Sequence, residues 1–220
     1  MFAETLKKEW YIVLLLLLPF AVSAYLWDEM PDTVPTHFNI YGEVDDWGPK
    51  WVNAFMFPAI GLFTYLLLIF LPLIDPKKRI ESRQKPIAAI RILLSIFMVG
   101  MYVFIMATSL GKQLAVDSYI KAGVGALIMV LGNYMNSVKQ NYFIGVKTPW
   151  TLENEEVWKL THRLTSKIWT VGGLLMVIQP FAIPHPQIGI AIYISIITVL
   201  VIVPVVYSYV IFQKLQKKNA

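Results

Sequence analysis

Six apolar stretches run along this chain, at about Trp10–Trp27, Val52–Ile74, Ile87–Leu110, Leu114–Tyr134, Ile168–Ile183 and Ile188–Phe212, and the first three and the last are long and nearly free of charge. Roughly 20 consecutive apolar residues are what a helix needs to cross a bilayer. A chain that repeats such stretches cannot close one water-soluble core around them, because folded surface still grows with mass. Composition points the same way: 57% of the 220 residues are hydrophobic and 15% are charged, where a soluble domain carries about 25% charged residues. Continuous apolar runs also exclude a transmembrane barrel, whose strands alternate apolar and polar positions. The expected fold is all-α, a polytopic integral membrane protein with six transmembrane helices.

The stretches are not alike. The fourth contains Asp117 and Lys121 near its start, four residues apart and able to pair, with Lys121 snorkelling to the interface. The fifth is short, and Gly172-Gly173 and Gln179-Pro180 predict an irregular helix. Small residues at Ala122 and Ala126 permit a close helix contact, internal or between protomers. Pro19, Pro58, Pro72 and Pro204 are tolerable inside spans, where neighbouring helices can satisfy the freed carbonyls. Lys7 and Lys8, the first apolar run and Val22-Ser23-Ala24 have the outline of a signal peptide. The run is long enough to span, so a retained first helix is expected.

The basic residues set the orientation. With the N-terminus inside, 16 of the 19 Lys and Arg fall in cytoplasmic segments, and only Lys50, Lys112 and Lys121 fall outside. Such a bias predicts that both termini are cytoplasmic. Arg91, at the inner end of the third span, is read in the same way as Asp117 and Lys121, as a structural charge that pairs or snorkels. The net charge of +5 is absorbed by topology and carries no sign of direct nucleic-acid binding. The absence of cysteine excludes disulfides, thiolate chemistry and thiol-ligated metals.

Two segments exceed the length of a connector, and function in such proteins concentrates in loops. The outer one, Asp28–Lys50, holds Asp28, Glu29, Asp32, Glu43, Asp45 and Asp46 against one lysine. Its Pro and Gly spacings (Met30-Pro31-Asp32, Val34-Pro35, Tyr41-Gly42-Glu43, Trp47-Gly48-Pro49) predict an ordered meander. An acidic outer cap suits a cationic or amphipathic partner. The inner one, Asn136–Lys167, predicts a helix capped by Thr151, with Glu153, Glu155 and Glu156 in its first turn and a buried stripe at Val157, Leu160, Leu164 and Ile168. Trp158 and His162 face each other at helical spacing, and Trp150, Trp158 and Trp169 are expected as interfacial anchors. The domain division expected is 1–75, a helical hairpin bearing the outer loop 28–50, and 76–220, four helices bearing the inner loop 136–167.

Gly132-Asn133, Lys139-Gln140-Asn141-Tyr142-Phe143-Ile144-Gly145-Val146-Lys147-Thr148-Pro149-Trp150-Thr151-Leu152, Val157-Trp158 and Thr161-His162-Arg163 closely resemble the signature of the SdpI-type immunity proteins of Gram-positive bacteria. The stretch Met30-Pro31-Asp32-Thr33-Val34-Pro35-Thr36-His37-Phe38-Asn39, with Gly42, Asp45, Trp47 and Lys50, looks like the domain of unknown function that often precedes it. Asp46 stands where that pattern usually has a small residue. The resemblance implies a multi-pass plasma-membrane protein that protects its cell against a secreted peptide toxin. In the best-studied family arrangement the same protein senses toxin and sequesters a small winged-helix transcriptional repressor at the inner face. The residues this assigns to toxin or partner binding outside are His37, Asn39, Glu43, Asp45, Asp46 and Trp47. Those assigned to the inner functional motif are Asn133, Asn141, Gly145, Lys147, Thr148, Pro149, Trp150, Trp158, His162 and Arg163.

Enzyme chemistry is the alternative, as a metal-dependent hydrolase or a transporter acting on a lipid or peptide. A zinc site needs three or four convergent ligands, which His37, His185 and an outer carboxylate could supply if they converge. There is no HExxH and no paired-ligand spacing, so neither a metal nor any other cofactor is expected, and His37 is read as satisfying backbone groups within its loop. His162 with Glu155 or Glu156 could form an acid–base pair, but no nucleophile accompanies them. The expectation is a protein that is not an enzyme.

Overall fold

A computed structural model describes residues 2–74, 85–112, 114–183 and 185–219. Lys77, Lys78, Arg79 and Arg83, which carry part of the expected charge bias, lie outside the described residues, as does Pro184 of the expected turn between the fifth and sixth spans. The chain is mostly helical. Its order is α1 (Phe2–Lys8), α2 (Trp10–Tyr25), β1 (Thr33–Phe38), β2 (Val44–Pro49), a π-helical segment Val52–Met56, α3 (Phe57–Ile74), α4 (Lys85–Ser109), α5 (Val116–Met135), α6 (Pro149–Glu153), α7 (Glu155–Ala182) and α8 (Pro186–Asn219). Its contacts divide it into two compact units, Met1–Phe70 with Arg91–Ile120 and Leu71–Ile90 with Lys121–Ala220.

Among the described residues, three helical stretches are long and apolar enough to cross a membrane: Val52–Ile74, Lys85–Ser109 and Pro186–Lys218. The shorter α2, of 16 residues, is apolar throughout. The two other expected spans fall on α5 and α7. The first of these begins with Asp117 and Lys121, and the second gives its opening turns to a polar, partly buried surface, which lowers the apolar content of each.

In the first unit, the expectation of a purely helical chain needs correction. The acidic loop forms a two-stranded antiparallel sheet, pairing Thr33 with Pro49, Val34 with Gly48 and Pro35 with Trp47, with irregular register on either side of His37. The turn sequence explains the hairpin. Asn39 Oδ1 accepts from the Tyr41 and Glu43 amides at 2.9 and 3.1 Å, a local bond that asparagine makes readily, and Gly42 takes φ +79. A Cβ on Gly42 would fall 2.6 Å from Asp117 Cβ. Val34, fully buried, packs with Met30, Ala54, Tyr102 and Met106 beneath the sheet. Asn53 Nδ2 donates to the Pro35 carbonyl at 2.8 Å and to Ser109 Oγ at 3.0 Å, tying the hairpin to α4.

A second cluster, Ile12, Leu16, Tyr65 and Ile69, ends at an ion pair that sequence reading missed. Glu9, in the break between α1 and α2, receives Arg91 Nε at 2.9 Å and Nη2 on its other oxygen, while Tyr65 Oη donates to it at 3.2 Å. Arg91 is 1% exposed. It is a structural charge, buried and paired with Glu9.

In the second unit, α5 and α7 cross so closely that side chains are excluded. A Cβ on Gly125 would lie 2.8 Å from Met176 Cβ, and one on Gly132 2.6 Å from the Thr170 amide. This close contact is internal, and Gly125 and Gly132 carry it. Antiparallel to α7 runs α8, whose Pro204 has no N–H for the Leu200 carbonyl. Trp169 Nε1 supplies one at 2.9 Å. Met176, Tyr193 and Leu200 form the core there.

Candidate functional site

The hairpin presents its polar residues to solvent. His37 Nδ1 meets Asp45 Oδ1 at 2.6 Å, although both side chains stay largely exposed. This corrects the expectation that His37 satisfies backbone groups. Asn39 Nδ2 donates to Glu43 Oε2 at 2.8 Å, and Thr36 Oγ1 to Asp46 Oδ2 at 3.3 Å. Lys50 turns inward to the Trp27 and Met30 carbonyls at 3.2 and 3.4 Å, with its ammonium 4.7 Å from the Trp27 ring. Its ammonium also lies 3.4 Å from Asp32 Oδ1, and Asp28, Glu29, Asp32, Glu43, Asp45 and Asp46 are all exposed. Trp47, 59% exposed, walls a cavity of about 420 Å³ together with Glu29, Thr33, Thr108 and Ser109. Among the described residues, no three His, Asp or Glu side chains are placed to share a metal ion.

The motif loop, in the other unit, does the opposite and buries its polar side chains in bonds to its own backbone. Asn141, 1% exposed, donates to the Lys139 and Ile144 carbonyls at 2.8 and 3.0 Å. It accepts from the Phe143 and Ile144 amides at 2.8 and 2.7 Å. An asparagine amide has two donors and a two-lone-pair oxygen, so every valence is used. Gln140 Nε2 takes the Thr151 and Leu152 carbonyls at 2.6 and 3.0 Å.

The loop closes on α7 through His162. The Val146 amide donates to Nε2 at 3.0 Å, and Nδ1 lies 2.9 Å from the Trp158 carbonyl. An amide can only donate and a carbonyl only accept, so the ring is the neutral tautomer protonated at Nδ1. Burial pushes its pKa down to about 4, against the opposing pull of the Trp158 carbonyl. Its one basic nitrogen is occupied by a backbone N–H, which removes the acid–base pairing with Glu155 or Glu156 considered from sequence. The Trp158 ring stacks on the imidazole at 3.9 Å and 19°, and its Nε1 donates to the Val138 carbonyl at 2.8 Å. Trp158 is thus a core residue and not an interfacial anchor. Gly145 sits over this pair at φ +122, where a Cβ would collide with His162 Nε2 and the Trp158 ring.

Capping also differs from the sequence expectation. The N-cap of α7 is Asn154, accepting from the Glu156 and Val157 amides, and Glu153 lies in a separate short helix, α6. The chain turns between the two because Asn154 is extended and is at once the C-cap of α6 and the N-cap of α7. Thr151 instead completes a reciprocal capping box with Thr148 at the start of α6, and its hydroxyl donates to the Val146 carbonyl at 2.8 Å. Pro149 occupies the first turn of α6, where its missing N–H costs nothing. Ser208 Oγ donates to the Val205 carbonyl at 2.6 Å, which makes Thr148 Oγ1 the donor in their 3.1 Å contact. Trp150 packs on Tyr209 with centroids 5.0 Å apart.

The structure therefore gathers Asn141, Gly145, Thr148, Trp150, Trp158 and His162 into one clamp. Asn133, on α5, and Lys147, Pro149 and Arg163 remain exposed. Gln140, Thr151 and Ser208 belong to the clamp and were not singled out as site residues. Thr148 and Thr151 have capping-box spacing, a readable signal; for Ser208, 60 residues from Thr148, there was none.

Residues 14–62, covering most of α2, the hairpin and the start of α3, match a domain of unknown function, DUF1648. Residues 137–208, from the motif loop to Ser208, match the SdpI/YfhL protein family. Both matches fall on the two segments whose motifs resemble this family in sequence. Across 213 residues it is 28% identical to "Immunity protein SdpI" of Bacillus subtilis (strain 168), covering 96% of this chain and 98% of that protein. No solved structure matches the chain. The SdpI/YfhL match includes every residue of the clamp, whereas Asn133 precedes it.

Proposed function

We propose that this chain is a multi-pass plasma-membrane immunity protein that protects a bacterium from a secreted peptide toxin. The end-to-end similarity to a protein named for immunity carries the reading. Its topology has six spans with both termini cytoplasmic, following the charge bias of the sequence. The hairpin then faces outward, and His37, Asn39, Glu43, Asp45, Asp46 and Trp47 meet a cationic or amphipathic peptide. An ordered hairpin with six exposed carboxylates, of which the loop's one lysine pairs only with Asp32, supports that role. The clamp faces the cytoplasm and, with exposed Asn133, Lys147, Pro149 and Arg163, carries the toxin-bound state to a small winged-helix repressor. No catalytic step is assigned.

Expression in a toxin-sensitive bacterium tests protection. Survival should rise with the wild-type chain, and unchanged killing by every candidate peptide would overturn the reading. The chain has no cysteine, so single cysteines at positions 43 and 147 report sidedness directly. Position 43 should react with an impermeant maleimide on whole cells, and position 147 only after lysis.

A further inference from the structure

Between α7 and α8 runs an apolar groove of about 570 Å³, walled by Val171, Leu175, Ile192, Ile196 and Val199, with Lys167 at one end. Gly172 and Leu200 also line it, and Leu200 packs where a Gly172 side chain would stand. Ser195 Oγ donates back to the Ala191 carbonyl at 2.8 Å, so this wall too presents hydrocarbon. The groove lies against a helix long and apolar enough to cross a bilayer.

Charge distinguishes it from ordinary lipid-facing surface. Lys159, Arg163 and Lys167 are exposed at four-residue intervals on α7, followed at the same spacing by exposed Val171 and Leu175. Like charges four apart on a helix repel, and an anion beside them relieves the repulsion. Exposed Lys214, Lys217 and Lys218 lie at the C-terminal end of antiparallel α8, the end toward which this cationic track leads. A cationic track running into an apolar trough has the outline of an anionic phospholipid, and basic pockets between membrane helices bind such headgroups.

We propose that this groove is a binding site for one anionic phospholipid, its phosphate at Lys167 and Arg163 and an acyl chain along Val171, Leu175 and Val199. The groove is separate from the hairpin and from the buried residues of the clamp, sharing only exposed Arg163 with the inner motif, and its test does not depend on immunity. The full chain in neutral detergent is titrated with palmitoyl-oleoyl phosphatidylglycerol, with phosphatidylcholine of the same chains, and with glycerol 3-phosphate. Native mass spectrometry and the thermal unfolding midpoint are read for each. Phosphatidylglycerol should bind at one per chain and raise the midpoint. Phosphatidylcholine should bind about fivefold more weakly for each cation engaged, and glycerol 3-phosphate should do nothing.

Lys167→Gln should bring phosphatidylglycerol down toward phosphatidylcholine, Ser195→Phe should weaken both by filling the trough, and Lys112→Gln should change neither. Equal binding of both lipids by the wild-type chain would overturn the proposal. So would a shift produced by glycerol 3-phosphate alone, or a dimer lost on Ser195→Phe, which would mean that a second copy covers the groove. Lys167 is exposed, so its variant reads the headgroup preference even if Ser195→Phe misfolds.

Discussion

His37 and His162 each find a partner for Nδ1, yet the two regions they belong to use polar chemistry in opposite ways. In the hairpin, His37 and Asp45 meet in open solvent, where such a pair contributes little to stability, and the surrounding carboxylates are exposed and bonded only at the surface. In the clamp, both ring nitrogens of His162 are used by backbone groups and the ring is 1% exposed. There, losing a partner strands a buried donor or acceptor. One region holds a charged surface in place; the other holds a loop in a single shape.

Replacing the two histidines is the strongest way to break this contrast. His162→Ala removes a buried ring and orphans the Val146 amide, a loss of about 4 kcal/mol in denaturant unfolding of the detergent-solubilised chain. His37→Ala should cost less than about 0.5 kcal/mol. Equal losses would mean that the hairpin is as much a part of the core as the clamp.

Acid should act on the clamp next. The folded-state pKa of His162 is about 4, below its ordinary 6.5, so the unfolded chain takes up the proton first. Its contribution is complete above pH 6.5, falls as pH drops through that window, and is gone below about 4. The difference amounts to about 3 kcal/mol. Unfolding measured from pH 7 to 4 should show this slope in the wild-type chain and a flatter one in His162→Phe. A smaller effect follows at Thr148, where Val removes the α6 cap and the bond to Ser208. About 2 kcal/mol should be lost, against almost nothing for Thr36→Val in the hairpin.

Legibility in the sequence followed the same divide. Apolar runs and capping residues are local patterns, so the helices could be read within a few residues, and the Pro and Gly spacings signalled an ordered hairpin. Strand pairing was missed because Thr33–Phe38 and Val44–Pro49 each contain a proline and lack a clean alternation. The Glu9–Arg91 pair spans 82 residues and was invisible, so Arg91 could be read as a structural charge but not given its partner. His162 stacking on Trp158 was readable from its spacing, but their burial was not, because it depends on Gly145 and Val146 folding back over them. Thr151 was assigned to the wrong helix because Asn154, three residues on, offers a second cap.

The smallest change in stability should accompany a change in function. Asp45 and Asp46 are exposed, and their bonds to His37 and Thr36 lie at the surface, so Asp45→Asn with Asp46→Asn should leave unfolding within about 0.5 kcal/mol of wild type. If these charges attract a cationic peptide, protection should weaken several-fold, and added salt should weaken toxin binding more in the wild-type chain than in the double variant. Asn141→Ala reverses the pattern: it leaves the hairpin charges intact while stranding backbone groups of the motif loop, so protection and stability fall together. A double variant that unfolds as readily as Asn141→Ala would make the hairpin a structural element. One that folds normally and still protects fully would move toxin contact away from Asp45 and Asp46, leaving Glu43, Trp47 and the cavity beside Glu29 as the part of the hairpin to examine.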